Sequence, residues 1–237
     1  MTHAQHQAAT AAVAAVDEAI TSRRSIRRFL PTPVPRPVIE DILRVAAQAP
    51  SGSNVQPWQV YVLTGQRLAR LCDQLVAAHD DPAVRAQHQA EYAYYPTDWF
   101  EPYLGRRRAT GWGLYNLLGI AKADRARMHA QHGRNFRFFD APVGLIFTID
   151  RRLQQGSWLD YGMFLQNIMV AARARGLDTC PQAAFIEWHR IVLPHVGAPD
   201  HEALVCGMAL GHADPQAPEN RLRTERAPVA EFTRFLD

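Results

Sequence analysis

The 237-residue sequence predicts an α+β fold with more helix than strand. Three observations lead there. Segments 58–63, 143–150 and 204–210 are short, apolar and rich in β-branched or aromatic residues, so they read as strands. Around them run longer stretches of helical composition or spacing, at 8–21, 37–46, 68–78, 106–120, 123–134 and 156–175. No internal repeat or low-complexity linker divides the chain, so residues 1–237 read as one domain.

The elements follow in order. Residues 8–21 are dominated by Ala, Val and Ile with no breaker among them. The alternate prolines Pro31, Pro33, Pro35 and Pro37 fix φ and keep their predecessors out of the α region, so 30–37 must be extended. A helix starts near Pro37, a favoured first-turn residue, with Glu40 and Asp41 towards its positive end. Its apolar face is Val38, Ile39, Ile42, Leu43, Val45 and Ala46. Residues 49–54 form a loop by composition, and 58–63 read as a buried strand ended by Thr64 and Gly65. Residues 92–104, with Pro96 and Pro102, read as an irregular aromatic excursion. In 156–175 one stripe holds Trp158, Tyr161, Leu165, Ile168 and Ala172, but Met163, Phe164, Met169 and Val170 make the other side apolar too. Such a helix is buried all round, at the centre of the fold or of a dimer.

Composition narrows the function. With 47% hydrophobic and 21% charged residues, the chain has the makeup of an ordinary globular protein. A formal net charge of +3 is spread thinly, apart from Arg106, Arg107 and Arg108. No basic stripe interleaves with a nucleic-acid motif, whereas scattered arginines suit anionic small molecules such as phosphorylated cofactors. Cys72, Cys180 and Cys206 are an odd, widely spaced set, which predicts free thiols in a reducing compartment. Residues 1–21 lack the basic start and apolar stretch of a signal peptide. The longest apolar region, 158–172, is interrupted by Asp160, Gln166 and Asn167 and falls short of the roughly 20 residues a membrane span needs. The expected location is the cytoplasm, without a membrane partner.

The chemistry concentrates in two segments. Ser22-Arg23-Arg24-Ser25-Ile26-Arg27-Arg28 places four arginines and two hydroxyls at a helix end. Guanidinium groups offer forked donors that match phosphate oxygens and stay charged at any working pH. Ala49-Pro50-Ser51-Gly52-Ser53-Asn54-Val55-Gln56-Pro57-Trp58 then joins a helix to a strand through a polar loop that lets backbone approach a planar ligand. With Gly176-Leu177-Asp178-Thr179-Cys180-Pro181-Gln182-Ala183-Ala184-Phe185 and Asn220-Arg221-Leu222-Arg223-Thr224-Glu225-Arg226-Ala227-Pro228, these elements occur in an order that resembles the nitroreductase family of flavoproteins. The resemblance runs from about Ile20 to the C-terminus, with nitrobenzoate-type reductases as the nearest branch.

That resemblance implies a central, mainly antiparallel sheet flanked by helices, in an intertwined homodimer with FMN at its interface. It assigns Arg23, Arg24 and Ser25 to the phosphate and ribityl chain, Arg27 to the pyrimidine edge, and Arg226 to closing the phosphate site. Pro50, Ser51, Gly52 and Asn54 would reach the same flavin from the partner subunit. Pro181, Gln182, Ala183 and Ala184 would pass along the ring; many relatives have Glu-Gly where this chain has Ala183-Ala184. The implied activity is ping-pong transfer from NADH or NADPH to nitroaromatics or quinones. Alternatives on the same fold are reductive dehalogenation, enone reduction, and flavin binding without turnover. No side chain is assigned acid–base work and no metal is expected.

Other signals are weaker. Gly111-Trp112-Gly113 is followed by Asn116 where a dinucleotide fingerprint needs a third glycine. His129 and His132 read as a surface pair, with no carboxylate or cysteine close by in sequence. Cys180 reads as a small buried thiol, since no sequence neighbour is basic. Tyr92, Tyr94, Tyr95, Trp99, Phe100 and Tyr103 are either packing or a wall that selects flat aromatic substrates.

Overall fold

The structure, a computed structural model, describes residues 3–236. Its strands β1 (Gln59–Thr64), β2 (Val143–Asp150), β3 (Asp178–Gln182) and β4 (Glu202–Gly211) form one sheet in the order β1-β2-β4-β3, every pair antiparallel. The helices are α1 (His3–Ser22), α2 (Arg36–Ala46), α3 (Gly65–Asp80), α4 (Pro82–Arg85), α5 (Tyr103–Leu117), α6 (Arg125–Gly133), α7 (Gln155–Arg173), α8 (His189–Val196) and α9 (Val229–Phe232). This is the α+β class with its antiparallel sheet. No described helix is long and apolar enough to cross a membrane.

The central strands explain their own composition. β4 is buried along its whole length and β2 along all but Asp150, because helices cover both faces of the sheet. One face packs Phe136, Phe138, Phe185 and Trp188 with α3 and α8; the other packs Phe147, Tyr161, Phe164 and Ile168 with α2 and α7. Close approach is what Gly207 supplies on β4: a Cβ there would meet the fully buried Phe185 ring at 2.6 Å.

Four sequence expectations need correction. Residues 58–63 do form β1, but as an edge strand with Val62 42% exposed rather than a buried one. β3 escaped notice because Pro181 interrupts the run; an edge strand paired only with β4 tolerates a residue that lacks an N–H. Within one chain α7 is buried on one side only, so it is not at the centre of the fold itself. Tyr161, Phe164 and Ile168 face the core, whereas Leu159 is 72% exposed and Gly162 and Gln166 lie open. Finally, Glu40 and Asp41 sit beyond the first turn of α2 and work as ion-pair partners instead, Glu40 with Arg36 at 2.7 Å and Asp41 with Arg44 and with Arg175 of the segment after α7.

The histidines of α6 are more than a surface pair. His129 Nε2 lies 2.9 Å from Asp80 Oδ1, and its ring stacks on buried His79 with centroids 4.0 Å apart and planes 6° from parallel. Tertiary structure thus brings in the carboxylate that sequence proximity lacked. The arrangement is a ring stack with a hydrogen-bonded His129–Asp80 contact. Burial lowers the pKa of His79, opposed by its hydrogen bond to the His129 carbonyl and by Asp80.

Two outcomes follow for stability. Gly207→Ala should destabilise the fold by about 1–3 kcal/mol, seen in denaturant unfolding, because the Phe185 ring has nowhere to go. Folding lowers the pKa of buried His79, so its contribution is present above about pH 6.5, the unfolded value, and is lost as pH falls below it. The thermal midpoint should drop between about pH 7.5 and 5, and His79→Gln should flatten that slope.

Candidate functional site

The site begins where α1 stops. Beyond Ser22 the chain becomes extended: Ser25 pairs with Thr179 as a parallel bridge, and the Ile26 N–H donates to the Thr179 carbonyl at 3.1 Å. The segment thus runs alongside the free edge of β3. Ile26 is buried completely, while Ser25 and Arg27 on either side of it line a cavity of about 800 Å³. Arg23, Arg24, Arg173, Arg223, Thr224 and Arg226 line the same cavity.

Six guanidinium groups therefore share one space. Among the described residues only Arg173 has a carboxylate partner there, Asp178 at 2.9 Å; its Nε also donates to Ser22 Oγ at 3.0 Å, tying the end of α1 to the end of α7. Burial and then the charge of Arg226 pull Arg23 below its ordinary pKa; burial and then Arg223 do the same to Arg24. Like charges crowded into a partly desolvated space are unfavourable unless an anion joins them. Ser25 and Thr224 add hydroxyl groups to the donor set.

Asn220 holds this arrangement together. It sits in a short 3-10 turn, Pro218–Arg221, and is 7% exposed. Its Oδ1 accepts from the Arg27 N–H at 2.7 Å, and its Nδ2 donates to the carbonyls of Arg28 at 2.8 Å and Asp214 at 3.0 Å. Its own carbonyl accepts from the guanidinium groups of Arg24 and Arg223. One amide side chain thus fastens the C-terminal segment to the first arginine motif, 193 positions away.

A second cavity of about 630 Å³ adjoins the first, sharing Arg27 and Thr110. Tyr95, Trp99, Tyr103 and Tyr115 line it, with Arg106 and Arg107 and with Asn135. The aromatic cluster divides accordingly. Tyr92 is packing: its hydroxyl donates to the Val205 carbonyl at 2.6 Å and its ring meets Trp158 edge-on. Tyr95, Trp99 and Tyr103 form a cavity wall. A separate cavity of about 1010 Å³ between α2, β1 and α3 is lined mainly by apolar residues and contains none of the motif residues.

The remaining expected site residues lie apart from the arginine cavity. Pro50, Ser51, Gly52 and Asn54 are on a loop that this chain's own cavity does not include. Asp160 of α7 anchors that loop by accepting the Gly52 N–H at 3.0 Å, and Ser51 Oγ accepts the Gln56 N–H at 3.0 Å. Pro181, Gln182, Ala183 and Ala184 form the end of β3 and the turn after it, next to the bridge with Ser25. Gln182 is buried and donates to the carbonyl of Asn135, a residue of the second cavity. Neither Ala183 nor Ala184 has positive φ, so alanine fits this backbone without strain. Cys180 is buried, as expected, and burial pushes its thiol up to about 11; the fold does supply basic neighbours, Arg27 and Arg23, but they only partly offset burial.

Sequence reasoning missed Arg173, Arg223, Thr224, Asn220 and Thr110. Arg223 and Thr224 stood in a quoted motif, and their nearness to Arg226 was the available signal. Arg173 and Thr110 come from helices with no local mark.

Comparison with known proteins identifies relatives of the whole chain. The profile described as the nitroreductase family matches residues 20–212. A 4-nitrobenzoate reductase of Pseudomonas putida is 44% identical over 220 residues, 93% of this chain and 95% of that protein. A nitrobenzene nitroreductase of Ectopseudomonas oleovorans is 42% identical over 221 residues, 93% of this chain and 96% of that one. The crystal structure of an FMN-dependent nitroreductase from Mycobacterium smegmatis in complex with NADPH superposes with a TM-score of 0.89 at 30% identity, over 95% of this chain and 99% of that chain.

Asn220→Ala removes three hydrogen bonds at the clamp. With FMN as the probe ligand, it should raise the dissociation constant by about tenfold or more in a fluorescence titration. An unchanged constant in a folded variant would mean that Asn220 does not position the arginines.

Proposed function

Because this chain belongs to the nitroreductase family, we propose that it is an FMN-dependent oxidoreductase that passes electrons from NADH or NADPH to nitroaromatic acceptors, with quinones as a second acceptor class. The observation that carries this reading is the meeting of Arg23 and Arg226, from opposite ends of the chain, in one cavity. A phosphomonoester fits the donor set: its two negative charges offset the crowded guanidinium groups, and its oxygens match their forked N–H donors.

When bound, the flavin supplies two-electron redox chemistry, while the protein binds, orients and tunes it. Arg23, Arg24 and Arg226 would neutralise the phosphate, with the Ser25 and Thr224 hydroxyls completing its shell. Arg27, at the junction of the two cavities, would hold the pyrimidine edge, where its fixed positive charge favours the electron-rich reduced cofactor. Pro181, Gln182, Ala183 and Ala184 would run along the ring. The aromatic-walled second cavity would admit the acceptor after the nicotinamide donor has left, in a ping-pong order. No side chain is assigned acid–base work.

Two sites in a homodimer complete the reading, with Pro50, Ser51, Gly52 and Asn54 contributed by the partner subunit. Its support is the apolar surface that one chain leaves uncovered: Val13, Val16 and Ile20 on α1, Leu159 on α7, and Phe232, Phe235 and Leu236 near the C-terminus are between 48% and 93% exposed.

The purified protein should be yellow and be bleached anaerobically by NADH or NADPH. Arg23→Ala and Arg226→Ala should each lose a charge-assisted contact worth about 1.5–3 kcal/mol and so release FMN on dialysis. Full flavin occupancy in both variants, or a colourless protein that ignores added FMN, would overturn the assignment.

A further inference from the structure

The second cavity carries two chemistries at once. Its walls are flat and aromatic, from Tyr95, Trp99, Tyr103 and Tyr115, and its charged lining is cationic, with no acidic side chain among the residues that face it. The two α5 arginines that line this cavity differ in their engagement. Arg106 is paired with Glu231 at 3.4 Å. Arg107 has no carboxylate partner among the described residues; its guanidinium lies 4.7 Å from the centre of the Trp99 ring and 5.9 Å from that of Tyr95.

A guanidinium held over a ring by cation–π attraction, with no carboxylate partner, keeps N–H donors for a ligand. Arg107 is therefore a pre-positioned fork beside an aromatic slot, and the ligand that satisfies both is a planar ring bearing a carboxylate. The ring would lie against the aromatic wall and the carboxylate would meet the fork, while a cationic substituent would be repelled by Arg27, Arg106 and Arg107 together. Since Arg27 and Thr110 border both cavities, a ring held this way lies next to the space assigned above to the flavin.

Resting on the flavin-reductase reading for its chemistry, we infer that Arg107, stacked on Trp99, makes this an enzyme for anionic aromatic acceptors and is the residue that selects them by charge. Arg107 is exposed on the outer part of α5, away from the buried core, so its replacement tests recognition without testing folding.

The experiment compares three acceptors of similar shape: 4-nitrobenzoate, 4-nitrotoluene and the cationic 4-nitrobenzylamine. In the wild type, kcat/KM should favour 4-nitrobenzoate over 4-nitrotoluene by about tenfold or more, carried mainly by KM, and place the amine last. Arg107→Gln should collapse that ratio towards one. Arg107→Lys should recover only part of it, because a point charge lacks the fork. Raising salt to about 0.5 M should narrow the wild-type ratio. A ratio that Arg107→Gln leaves intact, or a wild type indifferent to charge, would overturn the assignment. Calorimetric titration of the protein with 4-nitrobenzoate and 4-nitrotoluene reads the same preference without turnover. If no acceptor is reduced at all, the reductase reading fails, and binding alone decides the role of Arg107: charge-blind binding sinks it, and a preference abolished by Arg107→Gln sustains it.

Discussion

Crowding of arginine side chains into one cavity is the constraint around which this molecule is organised. Arg23, Arg24 and Arg27 come from the segment after the first helix, Arg173 from the end of α7, and Arg223 and Arg226 from the C-terminal segment. Their mutual repulsion would drive these elements apart if each were held only by its own surroundings. Uncharged backbone contacts hold them instead. The first motif is fixed to β3 through Ser25, Ile26 and Thr179, and to the C-terminal segment through the amide of Asn220. These hydrogen bonds fix the backbone that carries the cations and involve no ligand atom.

The sheet makes that possible. β2 and β4, buried on both faces, are the rigid centre, and β3 at the edge presents a free side to which the arginine motif attaches. Pro181 has a place in that edge because the edge needs fewer N–H donors than the centre. The same strand leads directly into the segment assigned to the flavin ring, and Gln182 links it to Asn135 at the rim of the second cavity. The arginine motif and the segment proposed for the flavin ring thus meet at one sheet edge, with the aromatic-walled cavity adjoining them through Arg27.

Charge is handled differently in the two cavities. In the first, six guanidinium groups face inward with little carboxylate to balance them, which suits a doubly charged phosphate. In the second, which has fewer guanidinium groups, Arg107 lies over the Trp99 ring and has no acidic partner among the described residues, which suits a carboxylate. Arg27 lines both, so the proposed cofactor tuning and acceptor placement would meet at one residue.

Much of this was legible in the sequence. Central strands β2 and β4 announced themselves as apolar runs, and the arginine motif and the C-terminal Arg226 were picked out by side-chain chemistry and by the order of the family's elements. What stayed hidden depends on distance in space. β3 was masked by its proline, because edge and centre are tertiary properties. Asp80 beside His129, Arg23 and Arg27 beside Cys180, and Asn220 beneath the arginines are pairings between segments 49 to 193 positions apart, with no local period to reveal them. Side-chain identity, then, determined which chemistry this protein can perform. Only the fold decided which guanidinium groups converge, which stay free, and which rings they face, because Coulombic and hydrogen-bonding energies depend on separations in three dimensions that sequence spacing does not contain.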